Sequence, residues 1–235
     1  MLSSRFKQDD IVEIGIDEAG RGSFWGPITA GAVILPDESE WTEKQRLLLV
    51  QMRDSKKISP KKRERLAKEI KELIPQHSVG MVHADEINAN GIGWANVEAF
   101  RRAVQGLPLP DTSHCRIIID GILGIQGWTG EQELIIEGDS KYVAIAAASI
   151  LAKVEHDQWI QSYCDNHPDC NERYDLCNSK GYGTAKHREG IRLYGGHELH
   201  RIIYIQNWLP GGIQRSKKKP SAIEKTDTCL ITFDT

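Results

Sequence analysis

Three short apolar runs in this chain end in acid, and that pattern restricts the architecture more than any other feature. Residues 11–16 lead into Asp17-Glu18, "IIID" sets Asp120 after Ile117–Ile119, and "ELIIEGD" closes on Asp139. Runs of this length, rich in β-branched residues and bounded by Gly, predict strands. If the three strand ends lie side by side in one sheet, their carboxylates converge. Two like charges about 4 Å apart repel by roughly 4 kcal/mol at an effective dielectric of 20. A converged set therefore stays partly protonated or holds cations. All-oxygen donors suit a hard ion such as Mg²⁺ or Mn²⁺. Two such ions about 3.5–4 Å apart suit phosphodiester hydrolysis, one activating water and the other stabilising the leaving oxygen. Spacing alone also admits ordinary surface acids at strand ends. Asp17 and Glu18 raise a further condition. Neighbours on a strand point to opposite faces, so they share a site only where regular strand geometry breaks down, which the Ala19-Gly20 bend directly after them permits.

The remaining pattern predicts a mixed α/β domain of four or five strands with intervening helices. Residues 28–35 read as a second strand, paired antiparallel with 11–16 through the Gly-rich turn, and 78–84 as a third. Ser59-Pro60 reads as an N-cap followed by proline at the first helical position, opening a charged helix to about residue 73. Residues 95–104 place Val97, Phe100 and Val104 at helical spacing. The alanine-rich stretch 143–160 is helical by propensity, and 184–194 reads as a shorter helix capped by Thr184.

Length and composition narrow the class. The chain's 235 residues suffice for one large domain or two small ones, and 40% hydrophobic with 27% charged residues fits a globular protein. No apolar run approaches the roughly 18 residues of a membrane helix, and the N-terminus lacks a signal-type segment. With an odd count of five cysteines, a reduced, cytoplasmic setting is expected. The net charge of −3 gives no global sign of nucleic-acid binding, yet residues 53–72 carry nine Lys or Arg against four Asp or Glu. Such a run is commonly a solvated helix face.

Five blocks, in order, resemble type 2 ribonuclease H, the ribonuclease HII family: "GIDEAGRG" (15–22), "DSKKIS" (54–59), "IIIDG" (117–121), "GDSKYVAIAAASILAKV" (138–154) and "GYGTAKH" (181–187). The resemblance extends from about residue 11 to 209. It implies a ribonuclease H-like mixed sheet flanked by helices, with a C-terminal helical portion, in a catalytic domain over 1–210, followed by a basic tail over 211–235 that is expected to be flexible. It implies a catalytic, metal-binding set of Asp17, Glu18, Asp120 and Asp139 using Mg²⁺ or Mn²⁺. It also implies hydrolysis of the RNA strand of RNA–DNA hybrids, and incision 5′ of ribonucleotides embedded in duplex DNA, leaving 3′-hydroxyl and 5′-phosphate ends.

Carried over by position, Gly20, Arg21 and Gly22 would approach the ribose 2′-hydroxyl with their backbone, the group that distinguishes RNA from DNA. Tyr182 would stand against the sugar, and Lys56 and Lys57 would contact phosphate. The family usually has Arg at the position of His156, and small residues in place of Ser23-Phe24-Trp25. Asp157 reads as a supporting residue, and the two aromatics as packing. A DNA-cleaving resolvase or transposase-type nuclease of the same fold would have no 2′-hydroxyl to read. The related ribonuclease HIII group usually adds an N-terminal domain, and about ten residues precede the first strand here. A binding module without activity would be expected to lack one of the four acids.

Weaker signals remain. Cys164, His167, Cys170 and Cys177 do not follow a usual zinc spacing. The last residues, with Leu230 and Phe233, resemble in degenerate form the tail by which some relatives bind the replicative sliding clamp. The expected state is monomeric, with no membrane partner.

Overall fold

A computed structural model describes residues 2–52, 58–108, 111–112 and 114–211. Lys56, Lys57 and the tail from residue 212 lie outside the described residues. Five strands form one sheet in the order β3-β2-β1-β4-β5: β1 (Glu13–Ala19), β2 (Ile28–Val33), β3 (His77–Val82), β4 (Arg116–Asp120) and β5 (Gln132–Ile135). β2 pairs antiparallel with β1 and with β3, whereas β4 runs parallel to β1 and β5 parallel to β4. The parallel half brings the C-terminal ends of β1, β4 and β5 to one side of the molecule, as the acid-ended runs require.

The two faces of β1 have different neighbours. Ile14 and Ile16 join Ile28, Ala30, Ile117 and Ile119 in a core shared with Ile87 of α3 (Ala84–Asn90) and Phe100 of α4 (Ile92–Gln105). Gly15 faces the other way, against α5 (Val143–Asn166). A Cβ at Gly15 would collide with the backbone at Ala144, and one at Gly31 on β2 with the backbone at Ala148. The alanine-rich helix thus lies directly on the sheet, which explains both the missing side chains in the strands and the small ones on the helix. Farther along this face, Leu48 and Leu49 of α1 (Glu43–Leu49) and Leu66 and Ile70 of α2 (Pro60–Leu73) pack in one cluster with Ala147, Ile150 and Leu151.

A third cluster builds the C-terminal helical portion. Ile160 and Cys164 of α5 meet Cys170 and Tyr174 of α6 (Pro168–Tyr174), Leu176 of α7 (Leu176–Ser179), Ile191 of α8 (Ala185–Tyr194) and Ile205 of α9 (Ile202–Ile205). Trp25 is fully buried in this cluster, with Phe24 packed at its margin. The aromatics after the glycine triplet are therefore packing residues that tie the β1–β2 turn to the helical portion.

Boundaries differ from the sequence reading in physically sensible ways. β1 continues through Ala19, still paired with Thr29 of β2, so no break in strand geometry precedes Gly20. β5 ends at Ile135, and Asp139 sits in a 3₁₀ turn, Gly138–Ser140, rather than at a strand end. Ser59 precedes α2 with extended backbone but makes no side-chain cap, whereas Thr184 accepts a hydrogen bond from the His187 amide as expected of a cap.

Candidate active site

Alternation along β1 and β4 decides which acids can meet. Asp17 follows Gly15 onto the α5 face, while Glu18 follows Ile16 onto the α4 face. On β4, Ile117 and Ile119 enter the α4-side core, which leaves Asp120 on the α5 side with Asp17. Asp139 is buried in the turn that leads into α5. The Gly138 amide donates to Asp120 Oδ1 at 2.6 Å, joining that turn to the end of β4. Asp17, Asp120 and Asp139 thus share one side, with Glu18 at the rim from the opposite face.

Asp17 is strongly perturbed. Its carboxyl is pushed well above the usual carboxylate range, chiefly by burial, and further by the negative charges of Glu18 and Asp120. A hydrogen bond from Ser149 and one from the Glu18 amide, 2.7 Å from Asp17 Oδ1, work in the other direction. Among the described residues, no three His, Cys, Asp or Glu groups stand close enough to close on one ion as placed. That applies to the four acids and also to Cys164, His167, Cys170 and Cys177. The donor chemistry at the acids nevertheless fits a hard divalent ion: all oxygen, two carboxylates buried, and mutual repulsion that a cation would relieve.

The glycine triplet lies beside this group. The Gly20 amide donates to the Tyr182 hydroxyl at 3.2 Å. Ser23 and Tyr182 form an antiparallel bridge, and the Phe24 amide donates to the Gly181 carbonyl at 2.8 Å. Tyr182 is half-buried, not a core aromatic, and Lys153 Nζ stands 5.1 Å from its ring centroid. Lys153 also pairs with Asp157 at 2.7 Å, and Asp157 receives His156 Nδ1 at 3.0 Å. Burial holds His156 below the usual imidazole range and so neutral, with its ring against Gly20. Asp157 is committed to these neighbours and to Arg63 at 3.8 Å, in keeping with a supporting role.

Several residues of this region escaped the sequence reading. Ser149 lies inside a quoted block but looks like one more small helix residue. Arg201 and Tyr204 come from beyond the last block, yet both reach the triplet: Arg201 Nη1 donates to the Gly20 carbonyl at 2.6 Å and the Arg21 carbonyl at 3.0 Å, and Tyr204 Oη to the Arg21 carbonyl at 3.1 Å. No spacing rule links positions about 180 residues apart in sequence.

Comparison with known proteins settles the family. Residues 14–207 match the family model for ribonuclease HII. The chain belongs to the ribonuclease HII family. It is 40% identical over 192 residues to the ribonuclease HII of Prochlorococcus marinus, a match covering 81% of this chain and 94% of that one. Among solved structures, the ribonuclease H2 of Pyrococcus horikoshii superposes with a TM-score of 0.66 at 22% identity, covering 84% of this chain and 97% of the other. A ribonuclease HIII, described as Bst-RNase HIII in complex with Mn²⁺, gives a TM-score of 0.58 at 20% identity, covering 86% and 70%. These structural likenesses establish the ribonuclease H fold, and membership in the ribonuclease HII family makes the chain a nuclease.

Proposed function

We propose that this ribonuclease HII hydrolyses the RNA strand of RNA–DNA hybrids and incises duplex DNA on the 5′ side of an embedded ribonucleotide, leaving 3′-hydroxyl and 5′-phosphate ends. The observation that carries the reading is the placement of Asp17 and Asp120 on one sheet face beside the Gly20-Arg21-Gly22 turn. Cleavage chemistry and a backbone able to meet a sugar edge-on are then within reach of the same nucleotide.

Asp17, Glu18, Asp120 and Asp139 would hold Mg²⁺ or Mn²⁺, which when bound supplies water activation and stabilisation of the leaving 3′ oxygen. Asp17 and Asp120 would orient the scissile phosphate's environment from the floor of the site, and Asp139 from the turn at the head of α5. Ser149, bonded to Asp17, would fix that carboxylate's rotamer. Arg21 and Gly22 would present backbone N–H donors to the 2′-hydroxyl. Tyr182 would pack the sugar from the other side, held by the Gly20 amide at its hydroxyl. Lys56 would contact phosphate electrostatically, with the salt dependence such contacts carry. Residues 1–210 would form the catalytic unit, with the tail after it open to a clamp or DNA contact.

The test is cleavage of a labelled DNA duplex containing one ribonucleotide, with Mg²⁺, Mn²⁺ or chelator, beside an all-DNA duplex and a continuous hybrid. Metal-dependent incision 5′ of the ribonucleotide, with no cleavage of all-DNA, is the expected result. Cleavage of the all-DNA duplex would instead favour a resolvase-type nuclease.

A further inference from the structure

The side chain of Arg201 is fully buried, and no carboxylate among the described residues pairs with it. Its hydrogen bonds all go to backbone carbonyls of one turn, Nε to Gly26 at 3.0 Å and Nη1 to both Gly20 and Arg21, while Nη2 has no partner among the described residues. Burial brings the guanidinium down to about 10, which leaves it charged at neutral pH. A buried cation without a counter-carboxylate is costly to maintain for packing alone.

The identity of those carbonyls supplies a reason. The Gly20 carbonyl belongs to the same peptide group as the Arg21 N–H. The Arg21 carbonyl belongs to the same peptide group as the Gly22 N–H. Neither of these two amides has a hydrogen-bond partner among the described residues. Tyr204, stacked on Phe24 with ring planes 13° apart, donates a second bond to the Arg21 carbonyl. The charged and phenolic donors therefore grip the oxygen ends of two peptides whose nitrogen ends are open. A charge-assisted bond at a carbonyl draws electron density along the peptide and strengthens the N–H of that peptide as a donor. It also fixes the plane of the peptide, so the donor direction is set before substrate arrives.

We infer that Arg201 and Tyr204 are positioning residues for ribose recognition, which orient and polarise the Arg21 and Gly22 amides toward the 2′-hydroxyl through the peptide groups they share with the Gly20 and Arg21 carbonyls. The inference rests on the reading of the triplet given under the proposed function. The segment carrying them is itself anchored on both sides. Asn88 donates to the His200 carbonyl and accepts from the Ile202 amide, each at 2.9 Å, and the Arg201 amide donates to the Phe24 carbonyl at 2.8 Å. The helical portion thus sets the shape of a loop that belongs to the sheet domain.

The test measures binding of the full chain, in chelator, to a fluorescent DNA duplex with one ribonucleotide and to the same duplex in all-DNA form. The ratio of the two Kd values reads the 2′-hydroxyl contact and is unaffected by a change in the folded fraction. In Tyr204→Phe the ratio is expected to fall about threefold, the effect of one lost hydrogen bond. In Arg201→Gln it is expected to approach one, with Arg201→Lys between the two, and kcat with Mg²⁺ on the ribonucleotide duplex is expected to follow the same order. A wild-type ratio in every variant that folds, Tyr204→Phe included, would overturn the inference and leave both residues as fold supports. A wild-type protein with no preference for the ribonucleotide would instead overturn the reading of the triplet on which the inference stands.

Discussion

His200 Nε2 stands 3.0 Å from His187 Nε2 in an enclosed pair, and the partners around it fix both tautomers. The His197 amide donates to His200 Nδ1 at 2.7 Å, so His200 carries its proton on Nε2 and donates to His187. His187 then donates from Nδ1 to the Tyr182 carbonyl at 3.0 Å. The chain of donors ends on the backbone of the residue expected to face the sugar. It holds only while both rings are neutral.

Acid should therefore loosen this region before it affects most carboxylates. Burial and the neighbouring rings hold His200 down to about 3, and burial holds His187 low as well. Unfolded histidine titrates near 6.5, so the folded form binds fewer protons than the unfolded one between about pH 6.5 and 3. Stability from these groups is complete above that window and falls as pH drops through it. At pH 5 His200 alone is expected to cost about 2 kcal/mol. The imidazole NMR signals of His200 should stay in their neutral form at pH 5 while the protein is folded, and those of His187 should titrate below the unfolded value. Signals that titrate near 6.5 would refute the arrangement.

Asp17→Asn is expected to separate chemistry from folding. Burial, with the charges of Glu18 and Asp120 beside it, disfavours the ionised carboxylate, so at neutral pH without divalent ions the amide should leave the protein at least as stable as the wild type. Cleavage should fall at least about a thousandfold, with hybrid binding largely retained. Mg²⁺ should raise the thermal midpoint of the wild type through preferential binding to the folded state, and chelator should reverse that rise. The variant should show a smaller response. Cleavage retained by Asp17→Asn would remove Asp17 from the catalytic set.

The fold was legible where local chemistry and tertiary context agree. Alternation and chain breaks located all five strands, whereas adjacent ends for the runs leading to Asp17, Asp120 and Asp139 were only a condition, one that the parallel order β1-β4-β5 meets. For Glu18 only the local geometry differs from expectation: pairing of Ala19 with Thr29 keeps β1 regular, so the Glu18 carboxylate starts from the face opposite Asp17. Asp139 was placed at a strand end because "ELIIEG" is apolar, yet Glu137 adopts left-handed backbone and turns the chain into α5. Arg201 had no legible signal. A buried guanidinium that meets only carbonyls follows from tertiary placement, and its sequence neighbours, Ile202 and Ile203, are exposed.

Two glycines of the triplet should respond differently to the same methyl group. Gly20 has φ +83°, and a Cβ there would strike the His156 ring and lie 2.9 Å from the Pro27 carbonyl. Gly20→Ala should cost about 2–4 kcal/mol, from backbone strain and overpacking together. At Gly22 the nearest atom to an added Cβ is Tyr182 Cε1 at 3.9 Å. Gly22→Ala should leave stability within about 0.5 kcal/mol. Incision at a single ribonucleotide should nevertheless fall about tenfold or more, because the methyl occupies the approach to the sugar. Urea denaturation and kcat/KM on both variants check this. Full activity in a stable Gly22→Ala protein would show that the substrate does not approach the backbone there.

Arg116→Ala should produce the opposite outcome, lost stability with intact chemistry. The guanidinium is fully buried at the start of β4 and donates to Asp9 at 2.7 Å, Glu13 at 3.0 Å and Glu131 at 2.7 Å. Glu13 in turn accepts from the Phe6 and Lys7 amides, which fastens the N-terminal segment to the sheet. Arg116 holds Asp9 down to about 2, so the pair strengthens folding above the normal carboxylate range and loses its effect as pH falls toward 2. Removing the cation leaves Glu13 buried without its partner, a change that typically costs about 3–5 kcal/mol. Asp120 lies four residues farther along the same strand, about 13 Å away. Activity per folded molecule should therefore stay near that of the wild type, while the urea midpoint drops. A fall in kcat at full folding would show that this end of the sheet is coupled to the acids at the other.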